Sequence, residues 1–167
     1  LLAGGERLSV RDLLELRLDS CDLVVLSACE SGVAGLDLPD EATSLPLGLL
    51  QSGANGVVAS LWAVEDTPTI LLMLRFYLAR RLEGLDPPTA LAVAQSWLRA
   101  TTNGEKLAFL DSVEQRGAAL PGKVSGAVRR ELRLSHPESR RFEHVVHWGG
   151  FFYVGRAAQD PSVRSVP

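Results

Sequence analysis

The sequence predicts an α/β fold in which helices flank a mostly parallel β-sheet. Two short runs rich in valine, Leu23–Leu26 and Val57–Leu61, are largely apolar, which is typical of strands buried on both faces of a parallel sheet. Helical patterns lie before, between and after these runs, and strands that alternate with helices indicate a parallel sheet. We therefore expect the two runs to be adjacent parallel strands.

The elements around these strands are predicted from capping and turn residues. Ser9 followed by Asp12 resembles a capping box and predicts a short amphipathic helix through Leu16. Ser44 is placed to begin a second helix that runs to about Ser52, with Gly53 at its end.

The second half of the chain reads as mainly helical. A helix capped by Asp66 or Thr67 should stop near Gly84, and Asp86-Pro87-Pro88 should begin the next one. Residues 100–141 are more polar and are predicted to be helical in pieces. Trp148–Val154 is predicted to be the last strand of a domain over residues 1–155, and residues 156–167 to be a disordered tail.

Composition narrows the function classes. The chain has 167 residues, of which 46% are hydrophobic and 22% charged, as in a soluble domain with a sizeable core. Its net charge of −3 argues against a general nucleic-acid partner. Its longest stretch without a charged residue, Ala42–Val64, is interrupted by Pro46 and several polar residues, so no membrane-spanning helix is predicted.

The sequence predicts neither a cofactor nor a metal site. A dinucleotide fold needs G-x-G-x-x-G after a strand, and the sequence contains none. The cysteines and histidines are far apart, so no metal site is predicted. Cys21 and Cys29 flank a predicted strand and would lie too far apart for a disulfide, and free thiols fit a cytoplasmic location.

Cys29 is the candidate for chemistry. It follows the carboxyl end of the first predicted strand, which is the end where parallel α/β sheets bind their ligands. Ser31 and Gly32 are small and would let a substrate chain approach, and the Cys29 amide could stabilise an oxyanion. Its spacing alone favours the alternative that Cys29 is a buried structural cysteine. A serine hydrolase is not indicated, because neither Ser27 nor Ser31 lies in a G-x-S-x-G motif.

An ordered set of segments resembles one known family. Leu26-Ser27-Ala28-Cys29-Glu30-Ser31-Gly32 resembles the nucleophile motif of CHAT domains, which are relatives of caspases and separases. The same order is kept by five further segments: Gly53 to Trp62, Glu65-Asp66-Thr67, Phe76-Tyr77, Ala90 to Gln95 and Trp148 to Gly155. The resemblance implies a caspase-like fold, cysteine endopeptidase chemistry with Cys29 as nucleophile, and a parent protein that often contains TPR repeats.

The sequence departs from the family in its histidines. The resemblance places the catalytic histidine upstream of the cysteine, but His136, His144 and His147 all follow Cys29. We interpret these three histidines as structural or exposed. We expect the N-terminal strands to lie upstream of Leu1, and the catalytic histidine to lie either upstream of Leu1 or on another chain. One sheet edge should then be exposed or covered by another chain. The alternative is a non-catalytic CHAT scaffold that serves as an interaction module.

Asp66 is the candidate for substrate recognition. An acidic residue in the matching segment of separases recognises a basic side chain before the scissile bond, so the resemblance implies this role for Asp66. The alternative is that Asp66 caps the helix that begins near Thr67. The expected partner in either peptidase reading is a peptide or protein substrate.

Overall fold

The computed structural model describes residues 12, 15–26, 39–117 and 120–156. Among these residues the elements are β1 (Val24–Val25), α1 (Pro39–Gln51), β2 (Gly56–Ser60), α2 (Asp66–Leu82), α3 (Pro87–Ala100), α4 (Asn103–Gln115), α5 (Gly122–Leu132), a 3-10 helix (Val145–His147) and β3 (Phe151–Gly155). The α/β class predicted from the sequence is confirmed. The predicted helix near Ser9 and the predicted tail lie almost entirely outside the described residues.

The described strands form one sheet in the order β1-β2-β3. β1 pairs with β2 in parallel, with Val24 opposite Val57 and Val25 opposite Val58, so the predicted adjacency is confirmed. β3 runs antiparallel to β2, with Phe151 opposite Ser60 and Gly155 opposite Gly56. The prediction of a mostly parallel sheet is therefore wrong for this part of the chain, where the sheet is mixed. A strand's composition shows its burial but not its direction, and the helices before β3 gave no sign of the reversal.

Contacts within the chain divide it into two compact units. The first contains residues 1–63, 86–91 and 151–167, and the second contains residues 64–85 and 92–150. In the first unit the hydrophobic core is built from Leu49, Val57 and Ala59. All five residues of β2 are buried, as predicted for a strand covered on both faces.

The connection from α1 to β2 depends on a close approach of the backbone. Gly53 has a φ of +106°, and a Cβ there would lie 2.9 Å from the backbone nitrogen of Asp19. Only glycine tolerates both conditions, which confirms Gly53 as the end of α1. The start of α1 was predicted wrongly, since the helix begins at Pro39 and not at Ser44. Proline is favourable in a first helical turn, and the prediction overlooked it.

In the second unit, ion pairs of the largely buried Arg129 side chain join α5 to α4. Its guanidinium pairs with Asp111 at 2.7 Å and Glu114 at 2.9 Å, both on α4. Its neighbours Arg130 and Arg133 are exposed to solvent.

The predicted ends of the other helices agree closely with the structure. α2 ends at Leu82, and Gly84 follows with a φ of +68°. α3 begins at Pro87, and the Asp86 carboxylate accepts a hydrogen bond from the Thr89 amide at 2.9 Å. β3 starts at Phe151, three residues later than predicted, because residues 148–150 form a turn after the 3-10 helix.

Candidate functional site

The carboxyl end of β1 is the part of the structure closest in sequence to Cys29. The Leu26 amide donates a hydrogen bond to the Val58 carbonyl at 2.8 Å, so the chain stays paired with β2 through Leu26. Cys29 comes three residues later. Cys29, Ser31 and Gly32 lie outside the described residues, and their predicted roles remain predictions. In parallel α/β sheets, ligands bind beyond the carboxyl ends of the strands.

Asp66 is the first residue of α2, and its side chain is exposed. The N-cap position is occupied by Glu65, whose side chain makes no capping hydrogen bond. The structure therefore does not support Asp66 as the cap of this helix. Its carboxylate lies in the first turn, where the helix dipole favours negative charge.

Asp66 lines a groove between the first turn of α2 and α5, and the groove has a volume of about 550 Å³. The apolar part of the wall is formed by Ile70, Val124 and Ala127, among others, while Glu65, Asp66 and Glu131 supply carboxylates and Lys123 a single ammonium group. An apolar wall suits the methylene stem of a long cationic side chain, and carboxylates suit its charged head. The groove thus combines an apolar wall with three carboxylates and one ammonium group.

Glu131 is held in position by Arg141. One carboxylate oxygen, Oε1, accepts from Arg141 Nε at 3.2 Å and pairs with Nη2 at 3.1 Å. Both contacts use the same oxygen, so Arg141 fixes the carboxylate while leaving its Oε2 without a contact to that guanidinium.

The three histidines have local contacts in the second unit. His136 and His144 are exposed, and the Nδ1 of each accepts a hydrogen bond at 3.3 Å from a backbone amide two residues later. His147 packs edge-on against the ring of Phe142, with 5.3 Å between ring centroids. The interpretation of these histidines as structural or exposed is confirmed.

Cys21 is a free, partly buried thiol. Its Sγ donates to the Leu23 carbonyl at 3.6 Å, and its own carbonyl accepts from the Asn55 amide at 2.9 Å. Cys21 therefore contributes to the entry of the chain into β1, and it carries the free thiol predicted from the sequence.

Comparison with protein-family models gives a match over nearly the whole chain. The model of the CHAT domain matches residues 1–156. The chain belongs to the CHAT domain family. The matched residues include Cys29, Ser31, Gly32 and Asp66. No curated protein and no solved structure matches this CHAT domain.

Sequence reasoning did not find Glu131 of the CHAT domain. Glu131 lies on α5, far along the chain from Asp66, and only the packing of α2 beside α5 brings it to the groove. The polar composition of residues 100–141 gave no signal that would have selected this carboxylate from its neighbours.

The described residues lack two features, a metal-binding cluster and a membrane-spanning helix. They contain no cluster of three or more histidine, cysteine or acidic side chains arranged to hold a metal ion. None of the helices in the described part of the CHAT domain has the length and apolar character needed to cross a membrane.

Proposed function

We propose that this CHAT domain is part of a caspase-like cysteine endopeptidase that cleaves peptide bonds after a basic residue. Cys29 is the nucleophile, and the catalytic histidine comes from outside this chain. It is supplied either by residues upstream or by another chain. In proteins of this kind the upstream residues often include TPR repeats. The observation that carries the proposal is the parallel pairing of β1 with β2. This pairing supports a reactive position for a cysteine that follows β1 by a few residues.

The chemistry follows from the properties of the thiol group. The histidine removes the Cys29 proton, and the thiolate attacks the carbonyl carbon of the scissile bond. The negative charge that develops on the carbonyl oxygen is stabilised by the Cys29 amide and by a second donor from outside this chain. The histidine then gives its proton to the leaving amine, and water hydrolyses the thioester to release the acyl product and regenerate the thiol.

The groove at Asp66 supports the preference for a basic residue. It combines apolar side chains of α5 with the carboxylates of Asp66 and Glu131. A substrate arginine would place its methylene groups against the apolar wall and its guanidinium beside these carboxylates. Ser31 and Gly32, which flank the nucleophile in sequence, would leave room for the substrate backbone.

A non-catalytic CHAT scaffold is the alternative, and the histidines favour it. The histidines of this chain all follow Cys29 in the sequence, and each is engaged in a local contact. Without an activating base, a cysteine at neutral pH is mostly a thiol and a poor nucleophile. The two functions differ in whether cleavage can be restored by adding a histidine.

Cleavage assays distinguish the two functions. The isolated chain should not cleave peptides that carry arginine before the scissile bond, whereas a protein that also contains the upstream residues, or the chain mixed with a histidine-bearing partner, should cleave them. Cys29→Ala should abolish this cleavage, because it removes the nucleophile. Cys21→Ser is the matched control, since its hydroxyl can still donate to the Leu23 carbonyl, and it should retain activity.

Two results would contradict this proposal. Turnover by the isolated chain that depends on Cys29 would show that no external histidine is needed. Retention of cleavage in Cys29→Ala, with both variants folded by circular dichroism, would remove Cys29 from the mechanism.

A further inference from the structure

A second groove, distinct from the one at Asp66, lies along α2 in the second unit. It has a volume of about 740 Å³ and is lined by Leu74, Tyr77, Leu78, Arg81 and Leu82 of α2 together with Val113 and Arg116 at the end of α4. The α2 residues follow the spacing of one helical face. From Leu74 to Leu82 this apolar stripe extends about 12 Å, or a little more than two helical turns.

The stripe is partly exposed: Leu74 and Leu78 are half-buried, whereas Tyr77 and Leu82 are exposed. Tyr77 is 45% exposed and Leu82 is 61% exposed, while Leu72 and Phe76 on the opposite side of α2 are fully buried. A helix normally buries one apolar face, and α2 already does so through Leu72 and Phe76. The exposed stripe is therefore a second apolar face, and contiguous exposed apolar surface of this kind marks an interaction site.

The charged side chains that line the groove are both positive. The lining residues include two arginines, Arg81 and Arg116, and no carboxylate. The nearby carboxylates of the same helices are engaged elsewhere: Glu83 pairs with Arg75 at 2.6 Å, and Asp111 and Glu114 pair with Arg129. Among the described residues, no ion pair engages either Arg81 or Arg116.

From this combination we propose that the groove binds an amphipathic helix whose apolar face is flanked by carboxylates. The apolar stripe with helical spacing fits a helix laid into the groove, as in other helix-in-groove complexes. The two arginines would pair with carboxylates of the bound helix at the rim of the interface, where they select the partner and its orientation. The groove contains no residue of the proposed catalytic site, so the inference does not depend on the activity of Cys29.

A pair of synthetic peptides tests the charge and the shape together. The first is a capped helix of about 15 residues with leucines along one face and glutamates on both flanks. The second is identical except that every glutamate is replaced by lysine. Fluorescence anisotropy with the full 167-residue chain should show that the glutamate peptide binds at least about 10-fold more tightly than the lysine peptide.

Charge reversal in the groove gives the sharpest comparison. The double variant Arg81→Glu/Arg116→Glu should lose this preference and favour the lysine peptide, because the sign of the rim has been inverted. Leu82→Ala should weaken the binding of both peptides, since it removes apolar contact area. Arg130→Glu changes an exposed arginine on α5 outside the groove and should change neither affinity.

Four outcomes would overturn the proposal. Failure of the glutamate peptide to bind the unmodified chain would do so, as would equal binding of the two peptides or an unchanged preference in the double variant. Concentration-dependent self-association in analytical ultracentrifugation that Leu82→Glu abolishes would show that a second copy of the chain occupies the groove. All the substituted side chains are exposed, and thermal unfolding of each variant confirms that the fold is retained.

Discussion

Lys106 illustrates how a single buried side chain can control stability in this molecule. It is fully buried, its Nζ donates a hydrogen bond to the Thr101 carbonyl, and the rings of Trp97 and Phe142 lie about 6 Å away. Burial removes the ammonium group from water and lowers its pKa from 10.5 to about 8, while the Glu105 carboxylate opposes this shift and Arg140 adds to it. The folded protein therefore binds this proton less tightly than the unfolded chain.

The shift predicts a stability that rises in alkaline solution. Between pH 8 and pH 10.5 the unfolded chain holds more protons at Lys106 than the folded protein, so the free energy of unfolding should increase with pH across this window. Below pH 8 the lysine is protonated in both states, and the unfavourable burial of its charge is fully present. The rise should amount to about 1–2 kcal/mol once screening by nearby polar groups is taken into account.

Urea denaturation across this pH range measures the effect. Lys106→Met, which keeps the volume but not the charge, should remove the pH-dependent rise. Lys123→Met is the control, because Lys123 is the other lysine of the chain and is exposed. A rise of equal size in wild type and Lys106→Met would show that a different group is responsible.

Helix α2 carries two separate surfaces, and the position of Asp66 in its first turn decides what a substitution there should do. Because Glu65 occupies the N-cap without a side-chain hydrogen bond, Asp66 acts on this helix through the dipole alone. Asp66→Ala should therefore cost only about 0.3–1 kcal/mol of stability. Any larger effect on catalysis must come from contact with the substrate.

The specificity prediction concerns a catalytically competent protein that contains the upstream histidine. Asp66→Ala should lower kcat/KM for arginine substrates, with a loss of about 2 kcal/mol of transition-state binding. This is the lower end of the range for a charge pair, because Asp66 is exposed before the substrate binds. The ratio of kcat/KM for arginine over leucine substrates is the measurement. Glu65→Ala, at the preceding position on the same groove, should change the ratio less. If the ratio is unchanged in folded Asp66→Ala, Asp66 does not recognise the substrate.

At this scale the sequence predicted some elements well and others poorly, for identifiable reasons. The bounds of α2 and the start of α3 were predictable because Gly84 and the Asp86-Pro87-Pro88 segment are strong local signals. The direction of β3 depends on the path of the whole chain, so no local pattern could reveal it. Asp66 and Glu131 line the same groove because of helix packing, which no local pattern shows. Cys29, in contrast, was selected by its motif and its spacing from β1.

At the scale of the whole molecule, the family and the described sheet can be considered together. The chain is a CHAT domain, and its described part contains the parallel β1–β2 pair. In the sequence, β1 comes just before Cys29, the nucleophile of our proposal. The second unit contributes two grooves of different chemistry, one lined by carboxylates at Asp66 and one lined by apolar side chains and arginines along α2. In our proposals the first binds a basic substrate side chain, and the second binds an acidic amphipathic helix.

Covalent labelling of Cys29 tests the central proposal most directly. A peptide with an arginine linked to an acyloxymethyl ketone reacts with an activated thiolate by displacing the carboxylate leaving group, and mass spectrometry then identifies the modified cysteine. The sequence contains two cysteines, so Cys21 is an internal control. In a protein that contains this chain and the upstream histidine, we expect labelling at Cys29, little labelling at Cys21, and much slower labelling by the leucine analogue. Equal labelling of Cys21 and Cys29, or no labelling at Cys29, would contradict the account.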